Sequence, residues 1–131
     1  MQVDHFAFRV NDLDRSIDFY SNVLGLKLMF RQFDPNHHEA FAFFELEGGN
    51  LELLQCLDEF NQPVPPVLPT IEPPFTPHLA LKAEDLGRMV ELLKEKSIPI
   101  VKGPLEIPGQ VRWLYLADPD HNILEFVQWL N

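Results

Sequence analysis

Cysteine occurs once in this chain of 131 residues, at Cys56, so no intrachain disulfide framework can form and a reducing setting is expected. Cations are scarce. Ten Lys and Arg stand against twenty Asp and Glu, a formal net charge of −10. A phosphate backbone or an anionic membrane surface would be repelled by that balance, which argues against nucleic acid and membrane as partners. Long apolar runs are missing too, and nothing approaches the roughly 20 residues that a membrane-spanning helix needs. The opening MQVDHFAF has no basic segment ahead of an apolar one, so no secretory leader is expected. The expectation is a soluble cytoplasmic domain, single by length, with eleven Phe to build its core.

What the chain does contain is a repeat. Leu51-Glu52-Leu53-Leu54-Gln55-Cys56-Leu57 returns as Leu124-Glu125-Phe126-Val127-Gln128-Trp129-Leu130, a shift of 125 − 52 = 73 residues. The same shift carries His5 onto His78, Ala7 onto Ala80, Arg9 onto Lys82, Asp12 onto Asp85, Leu13 onto Leu86 and Arg15 onto Arg88, with no gap. Two copies fit, so the chain is a duplicated module and not a solenoid.

Val3 to Val10 has the length and the β-branched and aromatic content of a strand, with His5, Ala7 and Arg9 on one face and Phe6, Phe8 and Val10 on the other. Asn11-Asp12 supplies helix-start chemistry, Leu13, Ile17, Tyr20 and Leu24 recur at helical spacing, and Gly25 ends the helix. Lys27–Phe33 and Ala40–Leu46 are expected strands around a loop at Asp34–His38, where His37 and His38 are expected to be solvated. Gly48-Gly49-Asn50 is a turn feeding the strand that carries Glu52. The second module repeats this order: strand His78–Ala83, a helix with Leu86, Val90 and Leu93 on its buried stripe, strands Ile98–Val101 and Val111–Ala117, a turn at Asp118–Asn122, and a last strand bearing Glu125, Val127 and Trp129 on one face. Between the modules, residues 58–77 hold seven of the twelve prolines and read as an extended, semi-rigid linker. The fold class expected is α+β: paired β-α-β-β-β modules at 1–57 and 78–131 within one domain, 1–131.

Glu52 lies between Leu51 and Leu53, and Glu125 between Leu124 and Phe126. An ionised carboxylate buried among such neighbours needs compensation. A divalent cation would supply it, and the imidazoles of His5 and His78 would complete the shell. Mixed nitrogen and oxygen ligation of this kind suits Zn, Ni, Co, Mn or Fe over Ca or Mg.

These pieces resemble the vicinal oxygen chelate superfamily, which includes glyoxalase I (lactoylglutathione lyase), methylmalonyl-CoA epimerase, extradiol dioxygenases and drug-resistance binding proteins. The resemblance is carried by HFAFRVNDLDRSIDFYSNVLGLKL, LELLQ, HLALKAEDL and DPDHNILEFVQ, and it covers both modules. It implies sheets curved around a metal held by His5, Glu52, His78 and Glu125. The chemistry implied is stabilisation of an enediolate by a metal that binds two neighbouring substrate oxygens. Two histidines with two carboxylates are similar to the glyoxalase I pattern, with Ni, Co or Zn as metal. The dioxygenases use two histidines and one carboxylate. By that likeness Glu125 is the base that shuttles a proton on a hemithioacetal of a 2-oxoaldehyde, and Glu52 is the second carboxylate. Arg9 and Lys82, each four residues after a ligand histidine, suit an anionic substrate, and Arg9 matches a carboxylate clamp for glutathione. Cys56 stands where glyoxalase I has an Asn that holds glutathione, and His121 stands in place of a turn Gly. Glutathione, another thiol or CoA therefore stay open as the substrate's carrier. The alternatives are an epimerase acting on a CoA thioester and a metal-independent drug-binding protein. The long linker allows half-sites to be exchanged between two chains, so a homodimer is expected.

Overall fold

Period-two alternation decides which side of each strand meets a helix and which stays open. The structure is a computed structural model, and it describes residues 1–130. Two compact units divide the chain, Met1–Pro69 and Thr70 onward. Each contains one four-stranded sheet.

In the first unit, β1 (His5–Arg9) pairs in parallel with β4 (Asn50–Cys56), followed by β3 (Glu39–Glu45) and β2 (Lys27–Asp34) in antiparallel order. Phe8, Ala42, Phe44, Leu51 and Leu53 are buried on one face. Helix α1 (Leu13–Asp18) packs against β3 and β4 there. His5, Ala7 and Arg9 are exposed on the other. The helix was expected to stay regular to Leu24. It widens instead into a π turn over Phe19–Val23, closed by the Leu24 N–H donating to the Phe19 carbonyl at 3.0 Å. Phe19 and Tyr20 are adjacent yet both buried, and the wider turn accommodates the two rings on one side. Ahead of β4, Gly49 has φ +145° and a Cβ there would lie 2.6 Å from Val3 Cγ1, so this turn requires glycine.

The second unit has the same topology: β5 (His78–Lys82) parallel to β8 (Ile123–Trp129), then β7 (Val111–Ala117) and β6 (Ile100–Ile107). Its helix α2 (Leu86–Glu95) packs on β8 and buries Leu86 and Leu93. β6 runs well beyond the expected Ile98–Val101. It passes through Gly103-Pro104 because β6 is an edge strand, and the register shifts on both sides of Lys102 absorb the proline.

Both helices start the same way. Asp12 accepts from the Arg15 N–H and Asp85 from the Arg88 N–H, each at 3.2 Å. A second contact, unforeseen in the sequence, joins each helix to the strand that carries Glu52 or Glu125. The Leu13 N–H donates to Gln55 Oε1 at 2.9 Å and the Leu86 N–H to Gln128 Oε1 at 2.8 Å.

The proline-rich stretch is less of a free tether than its composition implies. Asp58 Oδ1 accepts from the N–H groups of Phe60 and Gln62, and Leu57 bridges to Pro63. Asn11 then clamps Val67 from both sides, donating to its carbonyl at 2.9 Å and accepting from its N–H at 2.8 Å. Residues 58–69 thus belong to the first unit, whereas the first module had been drawn to end at Leu57.

Replacing Gln128 by Leu leaves a part-buried helix N–H without its acceptor. The expected loss is about 1–3 kcal/mol of unfolding free energy, read from urea titration; an unchanged midpoint and slope would show that this bond contributes nothing.

Candidate functional site

On the open face of the first unit, His5 Nε2 stands 3.5 Å from Glu52 Oε1. On that of the second, His78 Nε2 stands 3.9 Å from Glu125 Oε2. The strand registers produce both pairs, since Ala7 lies opposite Glu52 and Ala80 opposite Glu125. Each alanine leaves room beside the carboxylate, and the histidine two residues earlier on the same face leans across. Two donors each about 2.1 Å from one ion at a tetrahedral angle lie about 3.4 Å apart. The first pair, at 3.5 Å, matches that spacing, and the second, at 3.9 Å, is wider by about half an ångström. The four expected ligands come together as two pairs, and among the described residues no group of three or more His, Cys, Asp or Glu side chains is arranged to hold an ion.

Each ring's other nitrogen is occupied. His5 Nδ1 lies 2.6 Å from Asp4 Oδ2, and His78 Nδ1 donates to the Phe75 carbonyl at 2.8 Å. The nitrogen left over in each ring, Nε2, is the one that faces the carboxylate.

The expectation that Glu52 and Glu125 are sealed among apolar neighbours is corrected. Their side chains are each 15% exposed. The flanking Leu51, Leu53, Leu124 and Phe126 point to the opposite face, where they are buried. Neighbours in a strand's sequence are not neighbours in space. The carboxylates instead share a half-open surface with the histidines.

An aromatic ring braces each pair. Phe43 faces Glu52 across the β3–β4 ladder and meets His5 edge to face, with ring centroids 5.2 Å apart. Tyr115 faces Glu125 and meets His78 at 5.4 Å, and Phe75 packs on Tyr115 at 4.9 Å. The sequence repeat hid this match, because the rings are offset by 115 − 43 = 72 residues and the His and Glu residues by 73. In the first unit Phe30 stacks on Phe43 at 5.0 Å, extending an apolar wall away from His5.

Arg9 and Lys82 sit at the ends of β1 and β5, on the histidine face and exposed. Lys82 also opens onto a groove of about 490 Å³ at the head of α2, shared with Arg88, Met89 and Leu92. Cys56 is half-buried, and Trp129 is 61% exposed. His121 adopts φ +67°, the left-handed conformation that a turn glycine would have supplied, and Asp118 Oδ1 accepts from the N–H groups of Asp120 and Asn122 to hold that turn. His37 is exposed as expected. His38 is not simply solvated, since its Nδ1 donates to Asn61 Oδ1 at 2.8 Å.

Residues 2–126 match the family described as the Glyoxalase/Bleomycin resistance protein/Dioxygenase superfamily. Over 134 aligned residues the chain is 29% identical to the lactoylglutathione lyase of Neisseria meningitidis serogroup B, covering 98% of this chain and 91% of that protein. Among solved structures it is similar to the trypanothione-dependent glyoxalase I of Leishmania major, with TM-score 0.74 and 23% identity over 98% of this chain and 86% of that one. It is also similar to TnmS3, an antibiotic-binding protein from Streptomyces sp. CB03234, with TM-score 0.73 and 22% identity over 98% and 96%. These two likenesses speak for the fold.

At the end of β2, a hydrogen bond from the His37 ring, 2.8 Å away, holds the Asp34 carboxyl below its ordinary pKa. The pair's contribution is thus present above Asp34's unfolded-state value and lost as pH falls through the lowered one. His37→Ala is expected to raise the Asp34 titration, followed by NMR of its carboxyl carbon; an unmoved curve would assign the lowering to the backbone amides alone.

Proposed function

The chain belongs to the Glyoxalase/Bleomycin resistance protein/Dioxygenase superfamily, and on that premise we propose that it is a metal-dependent lyase of glyoxalase I type, acting on the hemithioacetal of a 2-oxoaldehyde. The observation that carries this reading is the duplicated pair: one imidazole nitrogen 3.5 Å or 3.9 Å from one carboxylate oxygen, at equivalent places in two sheets. The relatives named lactoylglutathione lyase support it, matching the chain nearly end to end.

His5, Glu52, His78 and Glu125 would hold a divalent transition metal, with Ni, Co and Zn as the candidates for this donor set. When bound, such a cation supplies positive charge beside the neighbouring substrate oxygens on which negative charge develops. Glu125 takes the proton from one carbon and returns it to the next, while Glu52 assists from the opposite side. Arg9 and Lys82 orient the anionic tail of the substrate. Each unit contributes one histidine and one carboxylate, half of the shell. In this reading two copies of the chain complete it, His5 and Glu52 of one with His78 and Glu125 of the other.

The test combines metal analysis with a substrate panel. Purified protein supplemented with Ni, Co or Zn is expected to hold one ion per four-ligand site and to convert methylglyoxal with glutathione. Glu125→Gln should lower kcat by about 10²–10⁴-fold. Sub-stoichiometric metal after supplementation would count against the whole reading. Exchange of the α-proton of a CoA thioester, with no turnover of the hemithioacetal, would identify an epimerase instead. Mass in solution is expected at twice that of one chain; a monomer with its metal bound would refute the shared site.

A further inference from the structure

The two halves differ at the residue just before each ligand histidine. The shift of 73 residues places Pro77 at the position of Asp4, since 77 − 4 = 73. Proline has no side-chain acceptor, and His78 Nδ1 donates to the Phe75 carbonyl, a neutral amide oxygen 2.8 Å away. In the first unit an ionised carboxylate takes that place, with Asp4 Oδ2 2.6 Å from His5 Nδ1. That is a short, charge-assisted contact, stronger than one to a neutral carbonyl. Phe43 holds the ring edge from the side, and Glu52 lies beyond Nε2.

We propose that Asp4 is a positioning residue for His5: it fixes the proton on Nδ1, leaves the Nε2 lone pair facing Glu52, and makes the first half-site the stronger donor toward a cation. The inference rests on the metal reading above, but the assignment of the proton does not. A carboxylate on the outer nitrogen raises the electron density of the inner one, and loss of such a partner typically weakens metal binding by about 10–100-fold. The fold does not depend on this side chain. Asp4 is 91% exposed, and its main-chain carbonyl accepts from the Asn50 N–H at 3.0 Å whatever the side chain is.

Two measurements on the full chain decide it. In metal-free protein, long-range proton–nitrogen NMR is expected to show His5 as the Nδ1–H tautomer in wild type and as a mixture in Asp4→Ala, with His78 unchanged. Competition of Zn or Ni against a chromophoric chelator is expected to show affinity falling about tenfold or more in Asp4→Ala. Asp4→Asn should fall between the two, because its amide oxygen still accepts but carries no charge. Glu47→Ala, which removes an exposed carboxylate elsewhere in the unit, should match wild type and so exclude a bulk charge effect. If wild type binds the ion and Asp4→Ala binds it equally well, or if the His5 tautomer does not move, Asp4 has no positioning role. Wild type that takes up no ion is a different result, and it overturns the metal reading itself.

Discussion

The parallel register of β1 on β4, repeated by β5 on β8, sets Asn50 opposite His5 and Ile123 opposite His78. The offset is 45 residues in both, 50 − 5 and 123 − 78. Both His–Glu pairs follow from that pairing. A slip of one residue would turn Glu52 toward the helix and bring the fully buried Leu51 into its place. An ionised carboxylate on the packed face would then cost several kcal/mol, while a leucine's worth of burial, about 1.5–3 kcal/mol, would be lost. Gln55 and Gln128 guard against such a slip. Each sits three residues after its glutamate and grips the first turn of the helix, so strand and helix are locked in one relative position.

Much of this frame was legible in the chain. Alternation along VDHFAFRV divided His5, Ala7 and Arg9 from the phenylalanines, and the observed burial follows that division. Asp12 and Asp85 announced the helix starts through cap chemistry, which acts over a few residues and so leaves a local signature. The His–Glu spacing surfaced through repetition, because two copies of one register leave two copies of one interval.

What stayed hidden is of another kind. The Gln55 and Gln128 contacts reach 42 residues along the chain, and a glutamine in a strand has no local motif to betray them. Phe43 and Tyr115 were masked by a one-residue difference between the copies, which breaks an ungapped comparison but not a ladder. The half-open setting of Glu52 and Glu125 was misjudged because residues adjacent in a strand were counted as surroundings. The strand expected over Ile98–Val101 runs on to Ile107 through Pro104, whose missing N–H is harmless at an edge position. The outlines of the fold are thus short-range information. The fine structure of the site belongs to strand neighbours far apart in sequence.

The clamp of Asn11 on Val67 has a bearing on how such a chain tolerates change. The stretch from Asp58 to Val67 is a loop anchored at both ends, and residues added there would bulge outward without altering the leash between the two halves. Past Pro69 the case is reversed. A residue gained or lost between Phe75 and His78 would break the contact by which the Phe75 carbonyl steadies that ring. Insertions that look equivalent by proline content are therefore not equivalent: one stretch is tied down by an asparagine side chain, and the other sets the spacing of a histidine from its brace.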